Sequence, residues 1–122
     1  MNTRRVAVTG IGGITAFGRD WQSIQAAFKA EKNAVKYMDW HERFPELEAQ
    51  LGAPIKDYAP PKHWTRKQLR SMGRVSYLCV DAAEQALADA GLLGDESITD
   101  GRMGVACGSS SGSTKDIGDV GE

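Results

Sequence analysis

Two cysteines and a serine-rich loop are the residues of this sequence best suited to nucleophilic chemistry. Cys107 lies in the run GVACGSSSG, beside a glycine and serine loop in which a reactive thiol would be accessible. A catalytic thiol needs a basic group or a helix N-terminus that lowers its pKa, and the sequence puts no basic residue directly beside Cys107. We therefore interpret Cys107 as the end of a strand. Cys79 falls on the small-residue face of a predicted helix, where we expect a buried, unreactive side chain.

The serines of the same loop match the G-x-S-x-G string of serine hydrolases, with Ser110 at the centre. The general base would have to be His41 or His63, and no orienting acid is evident. The loop could also bind an anion through backbone N–H groups, but it lacks the lysine of a phosphate loop. We interpret it as a flexible connection from a strand to a helix.

A glycine run near the start, VAVTGIGGITAFG, invites a dinucleotide-binding interpretation because it follows a predicted strand and precedes a helix. The G-x-G-x-x-G spacing from Gly10 would require glycine where Thr15 stands, and only Glu31 is available as the downstream acid. We expect a structural glycine turn and no bound cofactor. The two histidines are far apart and no CxxC pair exists, so we also expect no metal site.

Length and composition favour a small soluble domain. The 122 residues include 41% hydrophobic and 25% charged residues, which is ordinary for a globular protein and argues against disorder. The net charge of -1 argues against nucleic acid or an anionic membrane as the main partner. With two cysteines and no apolar leader, the sequence is typical of a cytoplasmic protein.

The elements that must position these residues alternate between strand and helix. The β-branched run Arg5–Thr9 predicts a buried strand. Asp20 is suited to cap a helix whose residues Trp21, Ile24 and Phe28 share one face. Residues 33–62 predict a long irregular connection. A short helix is indicated within it by Trp40, Phe44, Leu47 and Leu51. The order of elements predicts an α/β fold.

A second, longer helix is predicted from Thr65, which forms a capping box with Gln68, to a stop at Gly91. Its apolar face consists of Leu69, Met72, Cys79, Ala83, Ala86 and Ala90. A strand over Arg102–Cys107 then enters the serine loop. Near the start of the helix Lys67, Arg70 and Arg74 share one face, and their spacing alone fits a solvated surface as well as a surface that docks an acidic partner.

Three stretches taken together resemble the N-terminal part of the β-ketoacyl-acyl-carrier-protein synthases, the condensing enzymes of fatty acid synthesis. They are RRVAVTGIGGITAFG, the helix TRKQLRSMGR…AAEQALADAGL, and RMGVACGSSSGS. The resemblance implies the α/β thiolase-like fold, with layered helices and mixed sheets, in an enzyme that works as a homodimer. Members of the family are several times longer, so we expect residues 1–122 to be the N-terminal part of the first half of that fold.

The family reaction is a decarboxylative Claisen condensation of an acyl thioester with malonyl-carrier protein. In the family the nucleophilic cysteine lies in a T-A-C segment downstream of the glycine loop, and two histidines that stabilise the oxyanion lie further on. The resemblance places none of the three in this chain, which we therefore expect to be inactive alone. The alternative is a non-catalytic module of the same fold, which binds the carrier or acts as a chain-length partner.

The resemblance also assigns roles to particular residues. Lys67 and Arg70 match the basic residues with which the family docks the acidic acyl carrier protein. Ser71 stands where many relatives have another lysine, and Gly73 where many have aspartate.

The loop beside the acyl pocket in the family has the pattern G-S-G-x-G-G. Here it is matched by Gly108, Ser109, Ser111 and Gly112, with Ser111 at the position that is often an apolar gate or a glycine. The resemblance implies that Cys107 precedes this loop as part of the pocket wall.

Overall fold

Helices form most of the regular structure of the protein. A computed structural model describes residues 3–120, which divide into two compact units, one of residues 13–59 and one of the remaining described residues. The elements in chain order are α1 (Trp21–Lys29), β1 (Lys36–Tyr37), α2 (Trp40–Arg43), β2 (Leu51–Gly52), α3 (Arg66–Leu69), α4 (Arg74–Asp89), a 3₁₀ turn (Glu96–Ile98) and α5 (Thr114–Val120). Each helix in the described range is too short or too polar to cross a lipid bilayer.

Helix α1 confirms the predicted cap, and of the predicted face it buries Ile24. The Asp20 carboxylate accepts hydrogen bonds from the Ser23 backbone N–H and hydroxyl, both at 2.8 Å. The first turn of α1 is therefore capped by the residue directly before the helix. Ile24 is 2% exposed and Ala27 is buried beside it. Phe28 is 57% exposed, contrary to expectation, because Ala27 rather than Phe28 completes the buried stripe.

The segment after α1 forms a two-stranded antiparallel sheet that the sequence did not indicate. Lys36 pairs with Gly52 and Tyr37 pairs with Leu51. Helix α2 lies between the two strands in sequence and is only four residues long, so the expected short helix is present but does not extend to Leu47. The sheet is small because each strand contributes two residues.

The predicted long helix is two helices in the structure. Helix α3 ends at Leu69 and α4 begins at Arg74, so the prediction of one continuous helix is wrong. The predicted ends are confirmed. The Thr65 hydroxyl accepts the Gln68 N–H at 3.3 Å, and the Gln68 side chain accepts the Thr65 N–H at 2.8 Å. Gly91 follows the helix with a φ of +69°, which a glycine adopts without strain.

The predicted strands Arg5–Thr9 and Arg102–Cys107 are not strands in the structure, and this corrects the sequence prediction. A strand is defined by backbone hydrogen bonds to a neighbouring strand, and the one sheet in residues 3–120 is formed by β1 and β2. Val6 is 92% exposed and Val105 is 93% exposed. Both segments therefore have the composition of buried strands without a sheet to join among the described residues.

Few side chains in the described range are removed from water. The buried hydrophobic residues are Ile24 and Ala27, and the buried charged residue is Asp81 on α4, which is 5% exposed. Asp81 accepts a hydrogen bond from the Gln85 side-chain amide at 3.0 Å, one turn later in the same helix. With so small a core, local caps and turns supply a large part of the order in this chain.

Candidate functional site

The two predicted docking residues lie at the short helix α3. Lys67 is in the helix and Arg70 is the residue that caps its C-terminus, and both side chains are exposed. The capping box at Thr65 holds the first turn of this helix, which fixes the direction in which the basic side chains leave the backbone. The structure thus presents the predicted positive charges to solvent, three residues apart.

A shallow groove of about 480 Å³ lies beside these charges. Leu69, Met72 and Tyr77 contribute its apolar lining, and Arg66 and Arg70 contribute basic groups. The Tyr77 hydroxyl donates to the Leu69 carbonyl at 3.3 Å, which bridges the break between α3 and α4. An apolar groove with a basic rim suits a partner that is acidic and also has exposed hydrophobic side chains.

The break between α3 and α4 is stabilised by a residue far away in sequence. Gly73 occupies the N-cap position of α4 with an extended backbone and has no side chain that could accept a hydrogen bond. The Ser113 hydroxyl accepts the backbone N–H of Val75, in the first turn of α4, at 3.3 Å. A Cβ at Gly73 would lie 2.8 Å from the Ser113 hydroxyl oxygen and would overlap the Asp116 carboxylate. Glycine at this position therefore leaves room for two polar side chains from the start of α5.

The predicted acyl-pocket loop is an exposed turn. The Ser109 hydroxyl accepts the Gly112 backbone N–H at 3.0 Å. Gly112 has a φ of +62°, in the left-handed region that glycine tolerates best. Ser111, at the predicted gate position, lies exposed between them, and Gly108 has open space on its Cα. The turn then leads directly to Ser113, which caps α4.

Within residues 3–120 no hydrogen bond joins Ser110 to a histidine, so the structure gives no support to a serine hydrolase at Ser110. His63 contacts Glu84 instead, with 2.5 Å between its Nε2 and the Glu84 Oε1. The Trp64 indole N–H donates to the other oxygen of the same carboxylate at 2.8 Å. This carboxylate anchors the segment before α3 to α4. The sequence does not indicate this arrangement, because the residues are 20 and 21 positions apart.

The two cysteines, which were predicted separately, lie together. The Sγ atoms of Cys79 and Cys107 are 3.2 Å apart, and both residues are exposed free thiols. The expectation that Cys79 is buried is therefore wrong, since α4 buries Asp81 and not the predicted small-residue face. The hydrogen bond with Cys107 raises the pKa of the Cys79 thiol, and loss of hydration raises it further. A raised pKa is the opposite of what a nucleophilic thiol requires.

The glycines of the first loop lie directly against the backbone of α4. A Cβ at Gly12 would overlap the Ala82 carbonyl oxygen and lie 2.8 Å from the Ala86 nitrogen. A Cβ at Gly10 would lie 2.9 Å from the Cβ of Ala90. These glycines permit a close approach of two backbones. This close approach gives Gly10 and Gly12 a structural role, in line with the structural interpretation of the glycine run.

Comparisons with known proteins agree on one family. Residues 3–121 match the family model described as "Beta-ketoacyl synthase, N-terminal domain". The nodulation protein E of Rhizobium leguminosarum bv. trifolii is 40% identical over 106 residues, which cover 86% of this chain and 25% of that protein. The 3-oxoacyl-[acyl-carrier-protein] synthase 1 of Haemophilus influenzae is 30% identical over 112 residues, which cover 90% of this chain and 26% of that protein.

A solved structure shows the same arrangement of the backbone. The crystal structure of a β-ketoacyl synthase from Burkholderia phymatum STM815 matches 98% of this chain and 29% of its own, with a TM-score of 0.85 and 55% sequence identity. The predicted α/β thiolase-like fold is thereby confirmed. The chain spans about a quarter of the length of the curated relatives it matches. The protein belongs to the β-ketoacyl synthase family, and residues 3–121 correspond to the N-terminal domain of that family.

Proposed function

We propose that this chain supplies the carrier-docking surface and part of the acyl-pocket wall of a β-ketoacyl-acyl-carrier-protein synthase. The whole protein condenses an acyl thioester with malonyl-carrier protein by decarboxylation, in fatty acid biosynthesis. It does so in the cytoplasm and as a homodimer. Membership of the family and the names of the relatives support this assignment. The observation that carries it is the basic rim beside the apolar groove at α3.

The docking role falls to Lys67 and Arg70. Acyl carrier protein is acidic, and exposed positive charges raise the rate at which an acidic partner associates in the correct orientation. Leu69 and Met72 add apolar surface that a bound partner can bury, which the charges alone do not provide. Together these two contributions favour a docking surface over a merely solvated helix face.

The chemical step requires residues outside these 122. Cys107 lacks the general base that condensation requires, because its hydrogen-bond partner is another thiol, the Cys79 Sγ at 3.2 Å, and not a histidine. We assign Cys107 to the wall of the acyl pocket. We assign Gly108, Ser109, Ser111 and Gly112 to its loop, with Ser111 as a polar gate that influences chain-length preference.

Charge reversal tests the docking role. In Lys67→Glu and Arg70→Glu variants of this chain, we expect the affinity for acyl carrier protein to fall about tenfold or more for the pair, since favourable charges become repulsive. Isothermal titration calorimetry at low and high salt measures the effect. Lys29→Glu, on helix α1, is the matched control and should bind as the unaltered chain does. Equal losses in the control and the α3 variants would contradict the proposal.

A condensation assay tests whether the chemical step requires residues outside this chain. With radiolabelled malonyl-carrier protein, we expect no turnover from the 122 residues alone. Cys107→Ala in the complete synthase should leave condensation largely intact. Turnover by the isolated chain, or a dead Cys107→Ala enzyme that still folds, would show that the nucleophile had been assigned wrongly.

A further inference from the structure

The folded chain brings its two cysteines into contact. Cys79 lies on α4 and Cys107 lies just before the serine loop, 28 positions later, yet their Sγ atoms are 3.2 Å apart. Both are exposed to solvent and neither is in a disulfide. The sequence contains two cysteines in all, so a disulfide within this chain can form only between these two.

We propose that Cys79 and Cys107 form a modification site, a dithiol that low-molecular-weight disulfides such as oxidised glutathione convert reversibly to an intramolecular disulfide. The proposal goes beyond the condensation activity and does not depend on it. Exposure admits the oxidant, and contact between the sulfur atoms favours closure of the ring over attachment of a second small molecule.

Oxidation by oxidised glutathione takes place in two thiol–disulfide displacement steps, over which atoms and electrons balance. The Cys107 thiolate attacks one sulfur of oxidised glutathione, an S–S bond forms to Cys107, and one glutathione thiolate leaves. Cys79 then loses its proton to solvent and attacks the Cys107 sulfur, and the second glutathione thiolate leaves. The two protein thiols give up two electrons and two protons, which the oxidant takes up as two molecules of glutathione. Cys107 makes the first attack because it lies outside the helices, between Gly104 and Gly108, which have open space around them, and so can move to meet the oxidant.

The surroundings of Cys107 permit the small movement that bond formation requires. The sulfurs must approach by about 1 Å to reach a disulfide length. Cys79 is held in α4, whereas the segment around Cys107 has no strand partner in the described residues. Gly104 and Gly108 on either side of Cys107 have open space around them. The loop segment therefore moves to the helix, and the disulfide ties the entrance of the serine loop to α4.

Mass spectrometry with thiol trapping tests the proposal. The reduced 122-residue chain is incubated with oxidised glutathione, quenched in acid, alkylated with N-ethylmaleimide and measured intact. We expect a species that has lost two hydrogen atoms and carries neither glutathione nor maleimide, and that dithiothreitol returns to the reduced form. The Cys79→Ser and Cys107→Ser variants should each stop at a stable adduct with one glutathione.

A comparison with the unfolded chain shows whether the fold is responsible. In urea we expect ring closure to be at least about tenfold slower, because the two thiols are no longer held together. Closure at equal rates with and without urea would overturn the proposal. So would glutathione adducts that persist in the unaltered chain, or disulfide-linked dimers as the main product. These outcomes are independent of the carrier-binding and condensation assays.

Discussion

Helices α1 and α4 begin in different ways, and the difference separates local from tertiary control of structure. The first turn of α1 is closed by Asp20, the residue directly before it, and its inner face buries Ile24 and Ala27. The first turn of α4 follows Gly73, which has no side chain to cap it. The Val75 N–H in this turn donates instead to the hydroxyl of Ser113, 38 positions later in the chain. Although α4 has 16 residues and α1 has nine, the longer helix depends more on the rest of the chain.

Helix ends with local caps can be predicted from the sequence, whereas an end capped by a distant residue cannot. Sequence rules describe caps formed by residues within a few positions of the helix. Asp20 and the Thr65 capping box satisfy these rules and are confirmed. Ser113, which lies 38 positions after Val75 in the chain, leaves no local signal as a cap, so the start of α4 could not be predicted.

The largest expected effect concerns the buried face of α1. Ile24→Ala should lower the free energy of unfolding by about 3 kcal/mol, because a side chain that is 2% exposed leaves a cavity when truncated. Val80→Ala on α4 is the matched control. Since Val80 is 39% exposed, its loss should be below about 0.5 kcal/mol. Urea unfolding followed by circular dichroism measures both, and similar losses would remove the contrast between the helices.

A smaller effect is expected at the cap of α4. Ser113→Ala should cost about 1 kcal/mol, because the Val75 N–H loses its acceptor. Ser110→Ala, in the exposed part of the same loop, should be neutral. Amide exchange gives a second readout, since the Val75 amide should exchange faster in Ser113→Ala alone. Unchanged exchange at Val75 would show that Ser113 does not cap α4.

The smallest effect is the pH dependence of the α1 cap. Hydrogen bonds from the Ser23 backbone and then the Ser23 hydroxyl lower the pKa of Asp20 from its ordinary value of 3.8. A lowered pKa in the folded state means that the charged cap stabilises the protein above that ordinary value, and that this contribution is lost as the pH falls through the folded pKa.

Asp20→Asn isolates this contribution, because asparagine caps a helix without titrating. Urea midpoints measured from about pH 6 to about pH 2 should fall more steeply for the unaltered chain than for Asp20→Asn. The lowered pKa values of Asp95 and Asp100 affect both proteins equally and cancel in the difference. Parallel curves would show that the Asp20 charge contributes nothing to α1.

The candidate site was predictable in its residues and less so in its arrangement. The basic residues Lys67 and Arg70 were found from helical spacing and from the resemblance, and the structure presents both to solvent. Their roles in docking remain a prediction, as do those of the loop residues. The groove beside them depends on Tyr77 reaching back to Leu69 across a helix break, and sequence rules do not describe such contacts.

The sequence by itself determined the family, the cap of α1 with the buried position of Ile24, and both ends of the α3 to α4 segment. These features depend on residues a few positions apart, or on motifs whose order along the chain is specific. Tertiary structure alone decided the break at Gly73 and the exposure of Arg5–Thr9 and Arg102–Cys107. It also decided the contact between Cys79 and Cys107. Each of these features depends on whether a segment far away in sequence supplies a hydrogen bond, a neighbouring strand or a thiol. The separation of two residues along the chain does not determine their separation in the folded structure.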